Sequence, residues 1–358
     1  MSLSKPYNLD HFYQLIKDKK YITYLQDNQL SSDVENTIEN YPYVDWNIDQ
    51  LKYFLHQPTS TFTKCSESYP PYNVVPNRDP LDHWVAESMK IWDRELYDSL
   101  KGYTKLARLG RVYPSLAMFS RPLVTRKNVL SSERFDQAYK QALGQLRQLF
   151  ESCRAETLSL DNIMKQIPRN SSAGYPYLGK KKSEVWDEVH KQSISNYYRL
   201  LRKEKIEYKP CVLALRGHLS PLEQNKSRAI WVVPFETIVM ENLLFRNVYD
   251  YLYKKLSDVF LTGKNTLYRL RNYLHTNNGM DFINLDYSGW DAHRMRFVSM
   301  DVFDILKKCI QFKHTDLGSE ESIFDFVRET FLESKLMLPD GSCYKKQVGT
   351  PSGSLLTT

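Results

Sequence analysis

No stretch of about 18 consecutive apolar residues occurs in this chain, so the sequence offers no membrane-spanning helix. The opening Met-Ser-Leu-Ser-Lys-Pro-Tyr has no apolar signal core, so export by that route is not expected. Cysteine is sparse. Cys65, Cys153, Cys211, Cys309 and Cys343 stand singly, without a Cys-x-x-Cys pair or a neighbouring histidine at metal-ligand spacing. They read as reduced packing residues, and an intracellular, reducing compartment is the expectation. Internal repeats and low-complexity tracts are also missing, which excludes solenoids and arrays.

What is present suits a globular protein with a polyanionic partner. At 358 residues the chain has room for two or three packed subdomains. Hydrophobic residues make up 42%, which argues against disorder. The 25 tyrosines and 16 phenylalanines supply large faces for cores or for stacking on bases. A net charge of +7 fits nucleic acid, although a soluble basic enzyme without such a partner would carry it equally well.

The clearest punctuation is the proline-rich stretch from Tyr69 to Pro80, which is expected to split off an N-terminal part. Apolar residues three and four apart predict helices in Trp46-Asn-Ile-Asp-Gln-Leu-Lys-Tyr-Phe-Leu55, over 81–106, and over 132–153, the last opening at Ser131-Ser-Glu-Arg134. Residues 236–256 predict a long amphipathic helix with Ile238, Asn242, Phe245, Tyr249 and Leu252 on one face. Met280-Asp-Phe-Ile-Asn-Leu-Asp286 reads as a short strand, and Val298, Val302, Ile305 and Cys309 mark a further helix. A hairpin is expected from Lys335 to Val348 around Pro339-Asp-Gly341, where proline fixes φ and glycine permits the reversal.

Two motifs carry most of the chemistry. In Asp286-Tyr-Ser-Gly-Trp-Asp291 the strand ends in a carboxylate and breaks into a Ser-Gly turn, presenting Asp286 to a hard cation such as Mg²⁺. Asp291, five positions on, stands at the mouth of the next helix, where an N-cap role explains it equally well. Gly349-Thr-Pro-Ser-Gly353 sets two glycines around a fixed proline, a loop whose backbone can approach a nucleotide or template closely. A plain turn has the same composition. The Ser-Leu-Leu-Thr-Thr that follows reads as the opening of a helix.

Two basic segments precede them. Lys226-Ser-Arg228 runs into the strand-like Ala229-Ile-Trp-Val-Val, so both cations point to one side, toward a triphosphate or simply along a charged strand edge. Asn170-Ser-Ser-Ala-Gly-Tyr-Pro-Tyr177 and Gly179-Lys-Lys-Lys182 combine small residues, stacking faces and three lysines that could follow phosphates. An exposed loop of no special role could look the same.

In this order the four segments resemble the motifs of viral RNA-dependent RNA polymerases. Ser-Ala-Gly-Tyr-Pro-Tyr is similar to the template-guiding finger motif and Lys226-Ser-Arg228 to the triphosphate-binding one. Asp286-Tyr-Ser-Gly-Trp-Asp291 is similar to the first palm motif and Gly349-Thr-Pro-Ser-Gly353 to the second. The Tyr-Ser-Gly-Trp core and the Ser-Gly-Ser-Leu-Leu-Thr continuation lean toward the partitivirus and picobirnavirus kind within the picornavirus-like supergroup. The resemblance spans about 167–358.

It implies an α+β, right-hand polymerase fold built on an RRM-like antiparallel sheet with helices. Residues 1–115 would be an N-terminal helical extension, 116–275 fingers and 276–358 a partial palm, with the thumb absent. Asp286 would bind catalytic Mg²⁺, with Mn²⁺ as a substitute, and Asp291 would sense the ribose 2′-hydroxyl. Ser352 and Gly353 would form the loop that checks the ribose, supported by Thr357. Arg216, Lys226 and Arg228 would bind the triphosphate, while Ser172, Ala173, Gly174 and Tyr175 would line the path of the template. The partners implied are template and product RNA, nucleoside triphosphates and a capsid protein, in the host cytoplasm inside a virion or replication particle. The family's Gly-Asp-Asp motif does not occur in the chain, so these residues are expected to be a polymerase fragment that is inactive alone. The rivals are a reverse transcriptase-like polymerase, against which the carboxylate Asp291 speaks, and a non-catalytic RNA-binding module. A metal phosphatase ranks last, since its nucleophile and acid have no recognisable spacing here.

Overall fold

The computed structural model describes residues 45–58, 60–74, 83–99, 103–104, 106–120, 125–129, 133–221, 226–255, 272, 275–276 and 290–357. The chain mixes helices and strands, as expected, and divides into two compact units. One gathers Met1–Leu123, Val212–Trp231 and Lys335–Val348; the other gathers Val124–Cys211, Val232–Ser334 and Gly349–Thr358. No helix among the described residues is long and apolar enough to cross a membrane. The five cysteines are free, and four of them are buried, in keeping with a packing role.

The first unit is organised by a five-stranded sheet. Its strands are β1 (Thr63–Ser68), β2 (Cys211–Gly217), β3 (Ser227–Val232), β4 (Lys335–Met337) and β5 (Ser342–Lys345), in the order β1-β5-β4-β2-β3. The expected hairpin is β4–β5, antiparallel with Leu336 opposite Tyr344 and Met337 opposite Cys343. Its outer neighbour comes from far away in sequence: β1 pairs antiparallel with β5, setting Lys64 opposite Tyr344. The proline-rich stretch therefore does not split the preceding segment from the rest of this unit. Tyr69 and Tyr72 donate backbone N–H bonds to Gly341 and Pro339, each at 2.9 Å, and the Tyr72 hydroxyl reaches the Leu213 and Met337 carbonyls, each at 3.0 Å. Trp231 is buried against Phe119 and Phe62, at ring separations of 5.4 and 6.4 Å, which anchors β3 on its apolar side.

The Pro339-Asp-Gly turn shows why its glycine is required. Gly341 has φ +83°, and a Cβ there would lie 1.9 Å from the Tyr69 carbonyl oxygen, a backbone atom with no rotamer to move into. Gly341→Ala combines left-handed strain with that clash. It is expected to destabilise the first unit by about 2 kcal/mol or more. Urea unfolding checks this, and an unchanged midpoint would contradict it.

The second unit is helical. Its described helices include Glu133–Phe150, Leu160–Gln166, Trp186–Leu201, Phe235–Lys255, Arg296–Cys309 and Glu321–Leu332. Phe245, Phe303, Phe324 and Phe331 form an aromatic cluster with ring separations between 5.5 and 6.3 Å. Around it Val239, Leu243, Leu244, Ile323 and Val327 are buried. The sequence suggests a one-sided face for the long helix, but residues from Phe235 to Phe245 are buried all round. Leu160–Gln166, Trp186–Leu201 and Glu321–Leu332 all pack on it, so this half of the helix has no solvent side.

The expected helix over 81–106 is two helices, His83–Trp92 and Arg94–Ser99. Asp93 divides them. Its carboxylate accepts the Leu96 N–H at 2.9 Å, a cap that starts the second helix. The expected strand Met280–Asp286 lies outside the described residues.

Candidate functional site

The second unit holds most of the residues singled out in the sequence. Segment 171–182 is a tight turn closed by Ala173 N–H to Lys180 O (3.0 Å) and Lys182 N–H to Ser171 O (2.9 Å). Its seat is the start of the long helix, where Phe235 N–H donates to the Ala173 carbonyl at 3.0 Å. Gly174, at φ +73°, lies so close that a Cβ would stand 3.0 Å from the Val233 carbonyl oxygen. Ala173 and Gly174 are thus buried and hold the turn against the helix, whereas Ser172 is exposed and Tyr175 half-buried. The lysine run does not face one way. Lys180 and Lys181 are exposed, but Lys182 is 9% exposed, with its ammonium 5.4 Å from the centre of the Phe235 ring. The sequence expectation of three lysines open to phosphates is corrected: Lys182 is buried, and only Lys180 and Lys181 are exposed.

The structure brings Asp291 to the Gly-Thr-Pro-Ser-Gly loop. Asp291 is the second residue of a single helical turn, Trp290–His293, and its main-chain carbonyl accepts the Thr350 N–H at 2.8 Å. The Thr350 hydroxyl, at 3.3 Å, donates to Asp291 Oδ1. Alongside, Gly349 at φ +75° donates its N–H to the Arg294 carbonyl at 3.0 Å. Burial lowers the Arg294 pKa, opposed by Tyr249 and by the Asp291 charge. Thr350 went unnoticed in the sequence, because a buried threonine inside a glycine–proline loop carries no local signal of its partner.

The loop is fastened beyond its tip as well. Thr357 Oγ1 donates to the Pro351 carbonyl at 2.7 Å, and Ser354 N–H donates to the same carbonyl at 3.0 Å. Between these fastenings Ser352 is half-buried and Gly353 exposed. Where the sequence predicts the opening of a helix, Leu355–Thr357 form a single 3-10 turn. A further residue that sequence reading passed over is Glu241, buried in the long helix; its Oε1 accepts from Ser354 Oγ at 2.7 Å and its Oε2 from Leu355 N–H at 2.8 Å. The available signal was an acid inside the run Ile238-Val-Met-Glu-Asn-Leu-Leu-Phe245.

The three candidate triphosphate cations belong to the first unit. Lys226 and Arg228 are exposed on either side of buried Ser227, the alternation expected of an extended chain. His218 N–H donates to the Lys226 carbonyl at 2.9 Å, linking the ends of β2 and β3. Arg216 and Arg228 each lie two residues from that link, on adjacent strands. Asp286 lies outside the described residues, and among the described residues no three His, Cys, Asp or Glu side chains come together as a metal site.

A family model described as viral RNA-dependent RNA polymerase matches residues 65–358. The chain belongs to that family. The match begins about a hundred residues ahead of the first motif that the sequence reading recognised, so β1 and the proline-rich stretch are part of the polymerase too. Membership also removes the reverse transcriptase-like rival. The RNA-directed RNA polymerase of Cryptosporidium parvum virus 1 (strain KSU-1) is 25% identical to this polymerase chain over 203 residues, 56% of the chain and 38% of that protein. The solved Sicinivirus 3Dpol RNA dependent RNA polymerase is similar at 18% identity, with a TM-score of 0.45, over 59% of this chain and 48% of that one. The chain thus spans less than half the length of either relative.

Proposed function

We propose that the complete polymerase carrying this chain synthesises RNA on an RNA template, joining ribonucleoside triphosphates to an RNA 3′-hydroxyl during viral genome replication and transcription. In this reading residues 1–115 are an N-terminal extension, 116–275 fingers and 276–358 the first part of a palm in a right-hand fold. The observation that carries it is the Thr350–Asp291 pair, which joins the two palm-like motifs across 59 residues of sequence.

Each role follows from the chemistry of its side chain. Asp291, steadied by Thr350, offers a carboxylate acceptor to a ribose 2′-hydroxyl, an interaction a deoxyribose cannot make. Ser352 and Gly353 form the apex that approaches the sugar, and Thr357 braces it through Pro351. Arg228 provides a fork and Lys226 a point charge for the triphosphate, with Arg216 beside them, and together they stabilise charge building on the leaving pyrophosphate. Ser172 and Tyr175 face the template, while Ala173 and Gly174 let the backbone sit close to the long helix. Asp286 would hold Mg²⁺, or Mn²⁺ in its place, and the metal when bound supplies charge neutralisation to the phosphates of an in-line displacement.

The partners of this reading are template and product RNA, nucleoside triphosphates and a capsid protein of a double-stranded RNA virus, in the host cytoplasm inside a virion or replication particle. Two-metal chemistry uses more carboxylates than Asp286 alone supplies, so the 358 residues on their own are not expected to polymerise. Primed RNA extension compares the complete polymerase with the chain. Mg²⁺-dependent synthesis is expected from the first and none from the second; a complete polymerase without templated synthesis would overturn the proposal.

A further inference from the structure

A carboxylate in the middle of a helix buried on every side is costly unless its charge is met by hydrogen bonds. Glu241 is 2% exposed, and the groups that meet it come from a segment more than a hundred residues later. Ser354 Oγ donates to Oε1 at 2.7 Å and Leu355 N–H donates to Oε2 at 2.8 Å. The first N–H groups of a helical turn have no partner within the turn, and Glu241 supplies one from another element. Ser354, itself 3% exposed, relays the contact by accepting the Leu356 N–H at 3.1 Å. With both oxygens engaged by donors, the ionised form is the one the geometry accommodates. Burial nevertheless pushes the Glu241 pKa up to about 7, against the bonds from Ser354 and Leu355 and the charge of Lys182.

Lys182 ties this acid to the other half of the site. It ends the turn that carries Ser172 to Tyr175, and its backbone N–H closes that turn on Ser171. Its ammonium turns inward over Phe235, at the start of the helix that bears Glu241 six residues on. The helix therefore seats the Ala173–Gly174 turn at one point and fixes the root of the Ser352–Gly353 apex at another. The other root of that apex is held by the Thr350–Asp291 pair.

We propose that Glu241 is a positioning residue for nucleotide selection: it clamps Ser354 and Leu355, setting the height of the Ser352–Gly353 apex opposite Asp291, while Lys182 links the clamp to the 171–182 turn. The clamp rests on the reading of that apex as the ribose-checking loop. Glu241 touches neither sugar nor phosphate and acts through the backbone that follows Gly353. Loosening it should change how nucleotides are chosen while leaving RNA binding intact.

The test uses the complete polymerase with Glu241→Gln, Ser354→Ala and their double variant, measuring nucleotide KM, kcat, ribo- over deoxyribonucleotide preference, RNA affinity and amide exchange at 354–357. Gln keeps the size but places an N–H₂ against one of the two donors. Glu241→Gln is expected to raise KM and lower the ribose preference about tenfold each, the scale of one hydrogen bond to a charged group, with RNA affinity unchanged and exchange at Leu355 accelerated. Ser354→Ala should shift the same readouts the same way, and the double variant should be no worse than Glu241→Gln, because both act on one contact. Unaltered KM, preference and exchange in Glu241→Gln would overturn the proposal. So would RNA affinity falling as far as nucleotide affinity. If Glu241→Gln fails to fold, Ser354→Ala decides by the same criteria. If the wild-type polymerase makes no RNA, the functional reading of the loop fails, while amide exchange still decides whether the clamp exists.

Discussion

Asp286→Ala in the complete polymerase should abolish RNA synthesis, cutting primer extension by ~10³-fold or more, which corresponds to about 4 kcal/mol of lost transition-state stabilisation. The expectation comes from the sequence alone, in which an apolar run ends at Asp286 just ahead of Ser288-Gly289, a pattern that would present the carboxylate to a cation. Phosphoryl transfer gives the protein little covalent chemistry to do, so the loss of a metal-holding carboxylate is not offset by its neighbours. Asp286→Asn separates charge from shape. It keeps the side chain's size and should be nearly as inactive, while both variants bind RNA as the parent does. More than about a tenth of wild-type extension by either variant would remove Asp286 from the metal role, since a ligand loss costs more than one factor of ten.

Asp291→Ala should leave synthesis running and weaken the choice of sugar. A carboxylate that accepts from a 2′-hydroxyl gives the ribonucleotide one charge-assisted hydrogen bond, so its removal is expected to reduce the ribo-over-deoxy preference by about 10- to 100-fold. The effect should be larger than for Glu241, because in the proposed reading Asp291 would face the sugar itself while Glu241 would act through the loop. Thr350 matters here as well. Its hydroxyl and N–H steady both ends of Asp291, so Thr350→Val should move the preference in the same direction by a smaller factor. Competition between a ribonucleotide and its deoxy analogue on one template measures this directly. A preference unchanged in Asp291→Ala would dismiss the sugar-sensing role and leave Asp291 as a structural acceptor for Thr350.

Local patterns in the sequence were enough to find local structure. The apolar spacing of Val298, Val302, Ile305 and Cys309 corresponds to the helix Arg296–Cys309, and Pro339-Asp-Gly341 to the β4–β5 turn. Such patterns depend on residues a few positions apart, where periodicity and turn chemistry act. What escaped the sequence depends on partners far away. Thr63–Ser68 has mixed polar residues and no alternation, and it becomes a strand because β5 offers it an edge almost 280 residues later. Lys182 looked like one of three equivalent lysines until the long helix placed Phe235 beneath it. Asp93 breaks a continuous helical pattern with a single side-chain hydrogen bond.

The candidate site divides along the same line. Asp291, Ser352, Gly353 and Thr357 were legible as motif residues, because glycine, proline and carboxylate in a fixed order are conspicuous in a single sequence. Their fastenings were not. Thr350 to Asp291, Ser354 to Glu241 and Thr357 to Pro351 are contacts between a buried polar group and whatever the fold delivers to it. A buried acid such as Glu241 can be noticed as an anomaly in an apolar run, but its partner cannot be read from the run.

Single-nucleotide incorporation by the complete polymerase, on four primed RNA templates differing only at the templating base, tests the central claim most directly. The account predicts that each template directs addition of its complementary ribonucleotide, that addition requires a divalent metal, and that the matching deoxyribonucleotide is used at least about tenfold less well. Addition of the same nucleotide on all four templates, or of none, would contradict it.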